Sequence, residues 1–345
     1  MQAVAARRAR KHKLEAAGKC AFMGKPGPNA CAPGRDLFQA PMSLPRTSGH
    51  PLADRRFAYA MDYKAGGDIA AAAELAAQAL ELAPDWAAGW TALGELHEAN
   101  TDKAAAIDAY RRGLALDPAD TAGAGARLAR LGERSAGGAV SHAHIAALFD
   151  DYAPRFEKSL LEGLHYRGPA LLREALAACR SPLAFGHALD LGCGTGLAAE
   201  ALAANCASMD GVDLSGAMLA EAGRKGLYRN LVQDDIEAFL QSIPTGTIDL
   251  LLAADVFVYI GDLAAIFRQA ARALAPGGLF AFTVQRHDGE VPFVLGEDLR
   301  YAHGAGALTT WAGAAALGVL RLDTVSTRTD GGRHVPGLVV VLGGQ

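Results

Sequence analysis

Apolar and polar positions follow two different periods along this chain. From about residue 183 onward, short apolar runs end at acids or glycines, and alanine- and leucine-rich stretches separate them. Residues 183–191, LAFGHALDL, are typical of a buried strand, and LAAEALAANC, after the next turn, of a helix. Further strands are predicted at SMDGVDL, before QDD, at TIDLLLAAD and at LAPGGLFAFTVQ. Strands that alternate with helices predict a doubly wound α/β fold with a mainly parallel sheet.

Before residue 132 the pattern is helical, and it repeats. The segments ALELAPDWAAGW (79–90) and GLALDPADTAGA (113–124) align at an offset of 34 residues, with Pro84 and Pro118 in register. A 34-residue unit whose second helix is closed by a proline is the tetratricopeptide signature. A small residue such as Gly94 would let paired helices approach closely. We therefore predict a short all-α repeat domain ahead of the α/β domain.

These patterns divide the chain into four parts. Residues 1–50 are expected to lie outside the folded domains, 53–132 to form the tetratricopeptide domain, 133–143 a linker and 144–345 the α/β domain. Two repeats and one further helix make a short stack. Because three repeats are the usual minimum for independent stability, we expect this stack to pack against the α/β domain. The repeat domain would be either a docking surface for a protein partner or a helical cap, and the sequence leaves both open.

Composition and charge exclude several classes of protein. The chain has 51% hydrophobic and 20% charged residues, and charges interrupt every long apolar stretch, so we expect a cytoplasmic protein without a membrane partner. Residues 1–41 carry a net charge of +6 and the whole chain −4, which leaves −10 for the remainder. An acidic body repels phosphate backbones, which argues against nucleic acid as the main partner. The five cysteines show no metal-ligand or disulfide spacing, so free thiols and no metal site are expected.

The first 41 residues differ from the rest. They are basic, they lack the apolar core of a secretory signal, and GKPGPNACAPGRD predicts disorder. An organellar transit peptide is one interpretation. We favour a translation start at Met42, and N-terminal mass spectrometry of the native protein would test this.

Candidate chemistry is concentrated in the glycine-rich turn after the first predicted strand. Asp190, Gly192, Gly194 and Gly196 alternate there, and glycine lets the backbone approach a ligand closely. The spacing differs from the dinucleotide fingerprint G-x-G-x-x-G, because Leu197 stands where the last glycine would fall. A carboxylate at the turn would repel a diphosphate but suits a cation such as S-adenosylmethionine. An NAD-dependent oxidoreductase is the disfavoured alternative.

Acids also follow the later strands. Asp213 ends the second strand, where a carboxylate can accept hydrogen bonds from both hydroxyls of a ribose. Asp234 and Asp235 follow the third strand. A carboxylate there can accept a hydrogen bond from the amino group of an adenine that lies beside the apolar Ile236. The fourth strand ends at a polar turn, the position where ligands bind in open α/β sheets.

The ordered series of motifs resembles class I S-adenosylmethionine-dependent methyltransferases, in particular bacterial members with an N-terminal tetratricopeptide segment. The resemblance runs from about residue 55 to 343 and rests on FDDYAPRFEKSL, LDLGCGTGLAAEAL, GVDLSGAML, KGLYRNLVQDDI, AADVFVYIGDL, LAPGGLFAFTV and RYAH. It implies a seven-stranded Rossmann-like sheet whose last strand is antiparallel. It also implies S-adenosyl-L-methionine as cofactor and an unidentified small-molecule or protein methyl acceptor. Gln285 departs from the family, whose members often carry an acid after the fifth strand.

The resemblance also implies which residues bind the cofactor. The methionine part would lie against Asp190 and the glycines, and Asp213 would bind the ribose. The adenine would lie among Leu214, Met218, Asp235 and Ile236. The segment DDYAPRF predicts a lid helix whose Tyr152 and Phe156 would cover the cofactor, and helix packing alone would explain these aromatics equally well. The complete implied set is Tyr152, Asp190, Gly192, Gly194, Gly196, Asp213, Leu214, Met218, Asp235 and Ile236.

Three residues are candidates for the chemistry itself. Methyl transfer depends mainly on orientation, and on removing a proton when the acceptor is neutral. Asp255 and Tyr259, after the fourth strand, would lie near the methyl group, or serve as a structural hydrogen bond and a wall of the site. His303 is the best histidine for a general base, since imidazole titrates near working pH, and a structural role is its alternative. A non-catalytic docking protein with a degenerate cofactor domain stays open, although the intact set of acids argues against it.

Overall fold

The computed structural model describes residues 47–344, so the predictions for residues 1–41 lie outside the described part. It begins with two helix pairs: α1 (Pro51–Ala65) with α2 (Ile69–Leu82), and α3 (Ala87–Ala99) with α4 (Lys103–Leu116). The second helices of the two pairs, α2 and α4, begin 34 residues apart. An aspartate caps each of them: Asp68 before α2 and Asp102 before α4 each accept a 3.1 Å hydrogen bond from the backbone N–H of the third residue of the helix.

Close packing of the second pair depends on one glycine. A Cβ on Gly94 would lie 2.4 Å from the ring of Tyr110, which is fully buried between α3 and α4. Tyr110 also donates a 2.5 Å hydrogen bond to Glu98. The small residue therefore makes room for the aromatic ring, as the sequence pattern predicts.

The α/β part follows a segment, residues 131–141, without helix or strand. A short helix, α5 (Ala124–Arg130), precedes this segment. The helices of six or more residues that follow the segment are α6 (His142–Tyr152), α7 (Gly168–Cys179), α8 (Leu197–Leu202), α9 (Gly216–Lys225), α10 (Ile236–Ser242), α11 (Ala264–Ala273) and α12 (Ala305–Ala314). Its strands are β1 (Phe185–Leu191), β2 (Cys206–Asp213), β3 (Asn230–Gln233), β4 (Ile248–Ala253), β5 (Leu274–Arg286), β6 (Phe293–Leu295), β7 (Tyr301–His303), β8 (Gly318–Asp330) and β9 (Arg333–Gly343). None of the helices in residues 47–344 has the length and apolarity needed to cross a membrane.

Five strands form a parallel sheet in the order β3-β2-β1-β4-β5, and β9 joins β5 antiparallel and carries β8 on its other edge. The last strand is thus antiparallel, as the resemblance implies, and it pairs with β8 across the turn at Gly331 and Gly332. The seven-strand prediction is wrong, because the described sheet has nine strands. The extra strands are the β6–β7 hairpin. Each has three residues, too few for a hydrophobic period to reveal.

The hairpin extends the sheet beyond the end of β4. Strand β4 pairs with β5 as far as Phe282, whereas β7 pairs with Gln285 and Arg286. Strand β9 pairs with one edge of β5 as far as Gln285. Strand β7 therefore pairs with the other edge of β5, the edge with which β4 pairs earlier along the strand. The central strands are buried on both faces, as parallel strands between helix layers are. Leu251 packs into the core on one face and Leu250 into that on the other.

Candidate functional site

A cleft of about 1030 Å³, including the solvent in its mouth, opens at the carboxyl ends of β1, β2 and β4. Its walls come from the turns after these strands, the start of α10, α6 and the helical turns that follow α6. Four carboxylates line it: Asp190, Asp213, Asp235 and Asp255. Among the described residues, no lysine or arginine does. The cleft is therefore electrically suited to a cation.

The glycine turn forms one wall. Gly192, Gly194 and Gly196 all have positive φ, at 66°, 54° and 92°. Gly192 is held against Val256, since a Cβ there would lie 2.7 Å from its side chain, whereas a Cβ on Gly194 would meet nothing within 4 Å. Gly192 and Gly194 line the cleft, and Gly196 lies just outside its lining, at the N-cap of α8. Two of the three predicted glycines thus line the cleft.

Asp190 is buried beneath this turn, with 1% of its surface exposed. Its Oδ2 accepts a 2.6 Å hydrogen bond from the hydroxyl of Tyr228. Burial raises the pKa of Asp190 to about 7; the Tyr228 hydrogen bond lowers it and the charge of Asp213 raises it further. Because this pKa lies near neutrality, a cation bound next to the carboxyl would favour its ionised form.

Asp213 is fixed by backbone groups. The N–H of Gly194 donates to its Oδ2 at 2.8 Å, and the N–H of Ser215 donates to its Oδ1 at 2.9 Å. Burial raises the pKa of Asp213, and these two hydrogen bonds oppose the rise. Each oxygen keeps a second lone pair for a ligand hydroxyl. Leu214 and Met218, from the segment that follows, also line the cleft.

Asp235 has a structural task that the sequence does not reveal. Its Oδ1 accepts hydrogen bonds from the N–H groups of Glu237 and Ala238 and so caps α10. Its Oδ2 lies 3.3 Å from Nε2 of His142, the first residue of α6. Both Asp235 and Ile236 line the cleft, where the prediction places them.

Asp255, after β4, is held in a strained conformation. Its φ is +61°, rare for a residue other than glycine. Its N–H donates to Oγ1 of Thr283 at 2.8 Å, and Nη1 of Arg328 donates to its Oδ2 at 2.7 Å. The Arg328 side chain is 1% exposed and that of Asp255 15%. Tyr166 faces the same charges, and burial raises its pKa.

Aromatic side chains close the cleft above the sheet. Tyr259 lines it, with the ring of Phe149 from α6 edge-on at 5.4 Å, and Phe156 lines it as well. Asp150 fastens α6 in place, since its Oδ1 accepts from the hydroxyl of Ser215 at 2.6 Å.

Besides Gly196, two predicted site residues lie outside the cleft lining, Tyr152 and His303. Tyr152 is 6% exposed and packs on Phe156, because α6 ends at Tyr152 and the chain turns there. Phe149 and Phe156 reach the cleft instead. His303, predicted as a general base, is fully buried in β7, with Nε2 3.0–3.1 Å from the carbonyl oxygens of Ile260 and Gly261. Burial lowers its pKa to about 4, so the geometry favours the structural alternative.

Three polar residues of the site escaped sequence analysis. Tyr228 lies within the quoted motif KGLYRNLVQDDI, but nothing in its spacing relates it to Asp190. Tyr166 directly follows His165, a histidine that attracts attention first. Arg328 belongs to a strand at the edge of the sheet, where a charged residue is expected to face water.

Neither a metal site nor a reactive thiol is present in the part of the chain that the structure describes. No group of three or more potential metal ligands occurs within residues 47–344. Cys179, Cys193 and Cys206 are free, and burial raises the pKa of Cys193, which lines the cleft. A thiol with a raised pKa is a poor nucleophile at neutral pH.

Part of this chain is similar to known methyltransferases. Residues 189–282 match the family model described as "Methyltransferase domain". Over 155 residues the chain is 32% identical to the ubiquinone biosynthesis O-methyltransferase of Pseudomonas aeruginosa, covering 43% of this chain and 65% of the relative. It is also 32% identical to the malonyl-[acyl-carrier protein] O-methyltransferase of Enterobacter lignolyticus, covering 42% and 54%. The chain thus spans less than two thirds of the length of these curated relatives.

Among solved structures, the chain is similar to the 1,6-didemethyltoxoflavin-N1-methyltransferase of Burkholderia thailandensis, determined with 1,6-didemethyltoxoflavin and S-adenosylhomocysteine. The identity is 16% and the TM-score 0.47, over 59% of this chain and 90% of that one. A putative S-adenosylmethionine-dependent methyltransferase from Listeria monocytogenes is similar over 51% of this chain and 99% of that one, with 20% identity and a TM-score of 0.42.

Proposed function

We propose that this chain is an S-adenosylmethionine-dependent methyltransferase. The observation that carries the proposal is the charge of the cleft: four carboxylates and, in the described residues, no lysine or arginine. A dinucleotide such as NAD brings a diphosphate, which the carboxylates of Asp190, Asp213 and Asp235 would repel, whereas Arg328 compensates the charge of Asp255. S-Adenosylmethionine brings an ammonium and a sulfonium, which these three carboxylates would attract. The matched methyltransferase domain, residues 189–282, contains the glycine turn and Asp213, Asp235 and Asp255.

The residues of the cleft fit this cofactor in detail. Asp190 would accept hydrogen bonds from the ammonium, while the backbone of Gly192 and Gly194 passes close to the methionine part. The free lone pairs of Asp213 would accept the ribose hydroxyls. Adenine would lie between Leu214, Met218 and Ile236, with Asp235 at its amino edge.

When bound, S-adenosylmethionine supplies a methyl group on a positively charged sulfur, an electrophile that needs no further activation. The task of the protein is then to orient the acceptor and to exclude water, and orientation alone contributes several kcal/mol. The wall of Phe149, Phe156 and Tyr259 excludes water. The position of Asp255 beside this wall suits contact with the acceptor.

The helical region is proposed to be a tetratricopeptide segment that acts as a cap of the catalytic domain. The 34-residue spacing of α2 and α4 supports the repeat. The segment before α6 supports the cap, because the Tyr301 hydroxyl of β7 donates to the carbonyl of Ala136 at 2.5 Å and accepts from the N–H of Ala139 at 3.1 Å. Arg130 also forms an ion pair with Glu297 of the β6–β7 loop. The free thiols of the described residues support a cytoplasmic location.

Calorimetry separates the candidate functions. Micromolar binding of S-adenosylmethionine and S-adenosylhomocysteine, with no binding of NAD, is the expected result. Binding of NAD alone would establish a dinucleotide enzyme instead. Binding of neither would favour a non-catalytic docking protein.

A further inference from the structure

The part of the cleft beyond the predicted cofactor contacts is built from apolar and aromatic side chains. Phe149 lies in α6, and Phe156 and Leu160 lie between α6 and α7. Pro169 lies in the first turn of α7, and Tyr259 lies after β4. These side chains offer contact area and few polar atoms. Such a wall favours a molecule whose body is apolar.

The charges around this wall disfavour an anion. Asp255 and Asp190 line the cleft, and the two guanidinium groups that interact with Asp255 are buried behind its wall. Arg328 is 1% exposed and donates to Asp255. Arg300 is 3% exposed and interacts with Tyr259 and Asp298. Because neither arginine lines the cleft, a carboxylate or phosphate that entered would meet Asp255 before either guanidinium group.

Asp255 is kept in an arrangement that costs folding free energy. Its left-handed backbone is strained, and burying an ion pair with Arg328 gains little stability, because both charges lose water. Its Oδ1 is buried and has no hydrogen-bond donor among the described residues. Strain and an unsatisfied polar atom at a cleft are typical of a functional residue. The Asp255 side chain is 15% exposed and lines the cleft, so a ligand group that donates a hydrogen bond can reach the carboxylate there.

We propose that the methyl acceptor is an uncharged, mainly apolar small molecule whose nucleophilic O–H or N–H group donates a hydrogen bond to Asp255, and that Arg328 is the positioning residue of that carboxylate. In the reaction, a lone pair of the acceptor forms the bond to the methyl carbon as the carbon–sulfur bond breaks and its electron pair stays on sulfur. The acceptor's proton passes to the Asp255 carboxylate and then to solvent. This inference rests on the proposed methyltransferase function.

The test uses the full chain saturated with S-adenosylhomocysteine and four probes that share one apolar body. These are 4-butylphenol, 4-butylaniline, 4-butylanisole and 4-butylbenzoate, with dissociation constants measured by calorimetry at pH 7.5. The phenol and the aniline should bind most tightly. The anisole, which cannot donate, and the benzoate, which is an anion, should each bind about tenfold more weakly or worse.

Variants assign the preference to particular residues. Asp255→Asn and Arg328→Met should each bring the phenol-to-anisole ratio close to one, and Arg328→Lys should restore part of it. Arg321→Met, on the same strand but with an exposed side chain, is the matched control and should leave the ratio unchanged. Affinity for S-adenosylhomocysteine within about twofold of the parent shows that a variant has folded. If Arg328→Met does not fold, the isosteric Asp255→Asn variant decides alone.

Each outcome bears on a different conclusion. If S-adenosylhomocysteine does not bind, the proposed function fails, and the acceptor inference fails with it. If it binds and the benzoate ranks first, or no probe binds, the acceptor class is overturned and the cofactor assignment stands. An Asp255→Asn variant that keeps the parental ratio overturns the role of Asp255.

Discussion

Replacing Tyr228 by phenylalanine should change how cofactor affinity depends on pH. The hydroxyl of Tyr228 donates to Asp190 at 2.6 Å and is the group that lowers the pKa of this buried carboxyl, which stands at about 7. A cationic ligand binds the ionised form. Affinity of the parent protein should therefore fall as the pH drops below about 7, by up to about tenfold per pH unit.

The size of the change follows from the hydrogen bond. A hydrogen bond to a charged group contributes about 1.5–3 kcal/mol. At about 1.36 kcal/mol per pKa unit, its loss would raise the pKa of Asp190 by about one to two further units. The decline of affinity in Tyr228→Phe should then begin about one to two pH units higher. At pH 7.5 the variant should bind S-adenosylmethionine about tenfold more weakly than the parent.

Other groups near Asp190 also enter the profile. Asp213 raises its pKa, and the Cys193 thiol and the hydroxyl of Tyr166 lie within its electrostatic influence. The Asp190→Asn variant shows how much of the pH dependence comes from the Asp190 carboxyl itself. It should bind S-adenosylmethionine weakly, and its affinity should depend little on pH between about 5.5 and 8.5. Tyr110→Phe is the matched control, since it removes a buried tyrosine–carboxylate hydrogen bond between α3 and α4, away from the cleft.

Calorimetric titration of each variant at several pH values is the assay. Tyr110→Phe should keep the parental profile. A Tyr228→Phe profile that superposes on the parental one would refute the assignment of Tyr228 as the residue that controls Asp190.

Three further predictions concern separate parts of the molecule. Asp213→Ala should weaken S-adenosylmethionine binding about ten- to a hundredfold, because charged hydrogen bonds of ~1.5–3 kcal/mol are lost, and unchanged affinity by calorimetry would remove the ribose assignment. His303 should not act as a base, so His303→Asn should retain methyl transfer to any accepted substrate; a loss of transfer in a folded, cofactor-binding variant would restore the catalytic role. Burial lowers the pKa of His303 to about 4 in the folded protein, whereas its pKa in the unfolded chain is near 6.5. The stability that the neutral imidazole contributes is therefore present above pH 6.5 and is lost as the pH falls towards 4. Thermal unfolding over this pH range should show a smaller loss of stability in His303→Asn than in the parent. Gly94→Ala should lower the free energy of unfolding by about 1–3 kcal/mol, because the added Cβ would lie 2.4 Å from the ring of Tyr110, and an unchanged denaturation midpoint would show that the helices can separate at little cost.

Much of the fold is encoded locally and is therefore readable from the sequence. The apolar runs that end at Asp190, Asp213 and Ala253 are strands because their length and periodicity suit a buried sheet. The turn at Gly331 and Gly332 connects β8 and β9, and both residues have positive φ, as glycine permits. Most of the predicted cofactor-binding residues line one cleft, since the turns after parallel strands meet at one edge of the sheet.

Tertiary structure alone decided which side chains act together. The partner of Asp190 is Tyr228, 38 residues away, and the partner of Asp255 is Arg328, 73 residues away. No local pattern specifies such pairs, because they depend on how a loop and an edge strand pack against the sheet. The same holds for His303: its sequence context suits a surface base, but β7 places it in the core. Residue type and spacing therefore determine the strands and the glycine turn, whereas the burial and pairing of charges, and with them the chemistry of the cleft, arise only when distant segments come into contact.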